Sequence, residues 1–147
     1  MYLLDTNLIS ELRKLRRRTA NPGVVAWADS VSPQDLYLSA ITIEELERGV
    51  LLAAHRDQPK GLALRSWLEH QVLPAFEGRI LPVDTVVARR SAKLQVPDPF
   101  PFRDSLIAAT ALVHNMVVVT RNTAVFERSG ATLLNPWTSE PSSVANP

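Results

Sequence analysis

Apolar residues along this chain switch between short consecutive runs and runs spaced three or four apart, and the switching predicts the elements. Residues 2–4, YLL, read as a buried strand, and TNLISELRKLRR after them carries Leu8, Ile9, Leu12 and Leu15 at helical spacing. Asn21, Pro22 and Gly23 break the pattern, and VVAWADSV then predicts a short helix with Pro22 in its first turn and Ser32-Pro33 at its end. LYLSA at 36–40 is a short strand. In the following stretch, ITIEELERGVLLAAHR, apolar residues stand at 43, 46, 50, 53 and 54, and Thr42 with Glu45 has the spacing of a capping box.

LALRSWLEHQVLPAF predicts another helix, bent or ended near Pro74, and Gly78 precedes a strand at ILPV. TVVARRSAKLQ returns to helix. VPDPFPFR holds three of the eleven prolines in eight residues and predicts a stiff irregular connection. Asp104 then opens SLIAATALVHN, a helix apolar on nearly every side and so expected to be central. MVVVT at 116–120 reads as a strand buried in a parallel sheet, and ATLLN as a last one. The expected fold is one α/β domain of three layers, with a short, mainly parallel central sheet flanked by helices, over residues 1–137; the polar residues 138–147 are expected to form a flexible tail.

Composition narrows the function classes. Hydrophobic residues make up 46% and charged residues 21%, ordinary globular usage. With no cysteine there are no thiolate metal sites or thiol nucleophiles. No apolar stretch approaches a membrane span of roughly 18 residues, and Asp5 and Glu11 interrupt any secretory signal pattern, so no membrane partner and a cytoplasmic location are expected. A net charge of +1 does not mark the whole molecule as a nucleic-acid binder.

Three acids are candidates for chemistry. In parallel α/β sheets ligands collect beyond the carboxyl ends of the strands. Asp5 ends the first strand, Glu45 lies in the first turns of the helix after the second, and Asp104 opens the helix before MVVVT. They are 40 and 59 residues apart, so only the topology brings them together. Clustered carboxylates ionise together when a cation sits among them, and hard oxygen donors with no nearby histidine favour Mg²⁺ or Mn²⁺. Each acid also has a structural reading, Asp5 and Asp104 as helix caps and Glu45 as the capping-box partner. Periodicity does not choose among the glutamates either, since Glu47 lies nearer the apolar stripe than Glu44 or Glu45.

MYLLDTNLISEL, LSAITIEELERGV, RDSLIAATAL and VVVTRNTAVF with LLNPW, in that order, resemble the successive motifs of PIN-domain ribonucleases of the VapC and FitB toxin type. The resemblance runs from residue 1 to about 137. It implies a metal-dependent endoribonuclease, with Asp5, Glu45 (four residues before Gly49) and Asp104 as catalytic and metal-binding acids holding Mg²⁺ or Mn²⁺. Glu44 and Glu47 match nothing and are expected to be solvated. Such toxins commonly carry a further acid where this chain has Asn122 or Val125, and Glu127 is out of register; Asn122 is the remaining catalytic candidate there. The implied partners are an RNA substrate, a small antitoxin protein, a second copy in a homodimer, and DNA only through the antitoxin.

RKLRRR at 13–18 puts five cations in six residues, either along a phosphate path or at a solvated helix end. Arg103 and Arg121 adjoin motif positions. Thr6 and Thr120 are placed to bond acids or waters. His55, His70 and His114 read as ordinary polar residues, and Trp27, Trp67 and Trp137 as packing residues. Two competing readings remain: a binding module that lost catalysis with its fourth acid, and a receiver-like phosphate-handling domain, for which a lysine after a late strand is missing.

Overall fold

The computed structural model describes residues 1–138, so the expected tail lies, but for Thr138, outside the described residues. Strands and helices alternate: β1 (Tyr2–Leu4), α1 (Thr6–Leu12), a 3₁₀ turn (Arg13–Arg17), α2 (Pro22–Ser30), β2 (Leu36–Ser39), α3 (Ala40–Arg56) and α4 (Gln58–Trp67). A π turn (Leu68–Val72) leads to α5 (Leu73–Ala75), followed by β3 (Ile80–Leu81), α6 (Thr85–Leu94), α7 (Phe102–His114), β4 (Val117–Val119), α8 (Thr123–Phe126) and β5 (Leu133–Leu134). The strands form one parallel sheet in the order β3-β2-β1-β4-β5.

Two-residue periodicity divides the core between the faces of this sheet. Leu4 and Val119 pack with Leu8, Val24, Leu46, Val50 and Leu68 on one side. Their neighbours Leu3 and Val118 pack with Ile107, Ala108, Ala111 and Phe126 on the other. Each short strand is thus covered twice, which is the expected three-layer arrangement.

Several boundaries differ from the expectation, each for a local reason. Helix α3 begins at Ala40 because the Ser39 hydroxyl accepts from the Ile41 amide at 3.0 Å and caps it; Thr42 is therefore no cap and is fully buried inside the first turn. Helix α7 begins at Phe102 with Pro101 before it, so Asp104 lies within the first turn and does not open the helix. The first helix keeps α geometry only to Leu12 and tightens into 3₁₀ through Arg17. Helix α4 starts at Gln58, ahead of LALRSW, because the Asp57 carboxylate caps it by accepting from the Lys60 amide at 3.3 Å. At Gly61 the α3–α4 hairpin closes so tightly that a β-carbon would stand 2.4–2.7 Å from atoms of Ala54.

Candidate active site

Asp5 follows β1 directly and is only 6% exposed. Three donors hold its carboxylate: the Thr6 amide on Oδ1 at 2.8 Å, and on Oδ2 the Thr120 hydroxyl at 2.8 Å and the Asn7 amide at 3.2 Å. Asp5 therefore caps α1, as one reading of it expected, while Asn7 of the same helix and Thr120 after β4 hold its other oxygen. Burial still dominates and raises its pKa; the hydrogen bonds from Thr120 and Thr6 oppose this, and the charge of Glu45 adds to it.

Glu45 comes from the second turn of α3. Its Oε1 accepts from the Thr6 hydroxyl at 2.6 Å, and that hydroxyl also lies 3.3 Å from the buried Thr42 hydroxyl. The other glutamates keep solvent exposure but are paired with arginines, and Glu44 lines the same groove as Glu45 and Asp104. Glu44 pairs with Arg103 at 3.3 Å and with Arg48 at 4.0 Å, and Glu47 accepts from Arg65 of α4 at 2.8 Å. Packing thus makes the choice among the glutamates that periodicity left open.

Asp104, in the first turn of α7, has its pKa pushed up to about 6 by burial, by the charge of Asp5 and by that of Glu45, with Arg103 pulling the other way. The three acids therefore share one field, although they come from β1, α3 and α7. Among the described residues no three acidic or histidine side chains form a ready-made metal cage. Excess negative charge from hard oxygen donors still fits a divalent cation, which Asp5, Glu45 and Asp104 would hold directly or through water.

Asn122 is exposed at the start of α8. Its backbone amide donates to the Thr120 hydroxyl at 3.0 Å, one link away from Asp5, while its side chain makes no capping bond. Asn7 was missed in the sequence: its amide reaches Asp5 and, at 3.4 Å, Thr120, and its carbonyl accepts from the Arg121 amide at 3.3 Å. The signal was its place two residues after a capping aspartate, where a short polar side chain turns back toward the cap. The basic run is partly committed, with Arg13 stacked 5.8 Å from the Trp67 ring and Lys14 paired to Glu11 at 3.2 Å. Trp27 packs edge-on against Tyr2, as a core-facing residue should.

A match to the PIN domain family covers residues 2–131. The chain belongs to the PIN-domain family. The PIN domain is 42% identical over 142 residues to the VapC ribonuclease Y4jK of Sinorhizobium fredii, spanning 93% of this chain and 98% of that protein. It is equally 42% identical over 142 residues to toxin FitB of Neisseria gonorrhoeae, across 93% of this chain and 99% of the toxin. Among solved structures, a FitAB complex bound to an IR36 DNA fragment superimposes with a TM-score of 0.84 at 41% identity, over 95% of this chain and 98% of that one. The expected fold and family hold, and the receiver-like reading falls. No helix among the described residues is long and apolar enough to cross a membrane.

Proposed function

We propose that this PIN domain is the ribonuclease toxin of a toxin–antitoxin pair, a metal-dependent endoribonuclease that hydrolyses RNA phosphodiesters. The observation that carries this reading is the convergence of Asp5, Glu45 and Asp104, in which burial first and then the charges of Asp5 and Glu45 push the Asp104 pKa up to about 6. Identity of 42% to a protein named VapC ribonuclease, over 93% of the chain, supports it.

Asp5, Glu45 and Asp104 are the residues that would hold Mg²⁺, with Mn²⁺ the alternative. Bound there, the ion supplies a water of lowered pKa and a clamp on phosphate oxygens. The protein's part is positional. Thr120, Asn7 and the Thr6 amide fix the Asp5 carboxylate, the Thr6 hydroxyl fixes Glu45, and Arg103, paired with Glu44, offsets part of the negative charge beside Asp104. Asn122 contributes a neutral amide at the rim. A small antitoxin covering the cleft, a homodimer, contact with DNA only through the antitoxin, and work in the cytoplasm complete the proposal; the likeness to a FitAB complex on DNA supports the antitoxin.

The test is cleavage of single-stranded and structured RNA with and without Mg²⁺, by the native chain and by Asp5→Ala and Asp104→Asn variants. Loss of cleavage in both variants and on chelation is expected. Activity surviving both substitutions, or surviving chelation, overturns the metal mechanism. Asn122, where a fourth acid is common, favours a second reading as a binding module without catalysis, and failure to cleave any RNA with Mg²⁺ or Mn²⁺ would support it.

A further inference from the structure

Phe102, the first residue of α7, is 72% exposed although it stands between two buried neighbours in sequence, Phe100 and Ser105. Its backbone is held firmly. Ser105 Oγ donates to the Phe102 carbonyl at 2.7 Å, and Gln95 clasps Phe100 in both directions, each bond 2.8 Å. The Arg128 guanidinium donates to the carbonyls of Asp98, at 2.9 Å, and Pro99, and lies 4.8 Å from the Phe100 ring. Pro97, Pro99 and Pro101 restrict the same stretch further. So well anchored a segment does not leave the ring outside for want of order; the ring is presented.

It is presented into a groove that Glu45 and Asp104 line, together with Glu44 and Arg103. Ile41, Pro101 and Phe102 form an apolar wall, and Glu45 and Asp104 lie on the same groove, whose volume of about 530 Å³ falls in the range that admits a small-molecule-sized unit. We propose that Phe102 is a stacking platform for a nucleobase of single-stranded RNA, beside the phosphodiester at Asp5, Glu45 and Asp104. This rests on the ribonuclease reading of the site. A nucleotide meets both, its base face against the apolar wall and its phosphate at the carboxylates once a divalent cation is held there. Arg103, adjacent to Phe102, lines the same groove and is paired with Glu44 at 3.3 Å. Stacking on a ring is tolerant of base identity, because every base has a π-face, but needs that face free, so the subsite selects unpaired RNA.

The test uses the full chain with Mg²⁺ and short single-stranded oligoribonucleotides carrying one abasic site at successive positions around the cleavage point. Phe102→Ala and Phe102→Leu are expected to lower kcat/KM by about 5- to 150-fold, the equivalent of the ~1–3 kcal/mol of one base–aromatic stack, and Phe102→Trp to restore it. In the native chain one abasic position should carry a similar penalty, which disappears in Phe102→Ala. Equal kcat/KM for the native, Ala and Leu forms, or the same abasic penalty in all of them, overturns the proposal. So does a Phe102→Ala form that cleaves normally but changes oligomeric state in light scattering, which assigns the ring to a protein interface. A native chain that cleaves no RNA overturns the ribonuclease reading and this subsite with it, and is seen before any Phe102 variant is made.

Discussion

Replacing Asp104 with asparagine should make the metal-free protein more stable at neutral pH. The Asp104 carboxyl titrates near 6 in the folded chain against an ordinary value of 3.8. Between those values the native state binds the proton more tightly than the unfolded state, so stability falls as pH rises from 3.8 to about 6, and the whole penalty is present above that. The separation corresponds to an upper figure of about 3 kcal/mol. Asp104 is only partly buried, so solvent screening reduces this to about 1–2 kcal/mol. Asparagine keeps the shape and removes the charge. For a domain of this size the gain is about 2–8 °C in Tm. Thermal unfolding of both forms with chelator at a series of pH values measures it: the curves should converge near pH 4 and separate above pH 6. A variant no more stable than the native chain at pH 8, or a difference independent of pH, would refute the field described for these acids. Saturating Mg²⁺ should reverse the order, since a ligand at 100 times its Kd stabilises the form that binds it by about 2.7 kcal/mol.

Three further outcomes are expected. Thr6→Val removes the hydroxyl that holds Glu45 and should weaken Mg²⁺ affinity or activity about 10- to 100-fold, with Thr6→Ser retaining most of it; titration calorimetry and cleavage rates report this. Asn122→Asp adds a carboxylate to a residue whose backbone amide is linked to Asp5 through Thr120 and should tighten divalent cation binding in calorimetry, whereas an unchanged affinity would mean that this segment does not reach the ion. Gly61→Ala drives a methyl group into Ala54 of the facing helix and should cost about 1–3 kcal/mol in urea unfolding, with the sheet-edge acids untouched.

Residue spacing was enough for the alternation of strands and helices, the doubly covered sheet and the placing of Asp5 at a strand end, because periodicity and breakers act over a few neighbouring residues. It failed at boundaries where a nearby cap competed, as Ser39 did with Thr42. It also could not choose Glu45 over Glu44 and Glu47, because the choice is made by partners on other elements: Thr6 of α1, Arg103 of α7 and Arg65 of α4. Asp104 acquires its pKa, and Phe102 its place in the groove, only when the parallel order β2-β1-β4 sets the ends of three distant segments side by side. Local pattern determines what each segment becomes; which charges must face one another is a long-range consequence of packing, and no window along the chain contains it.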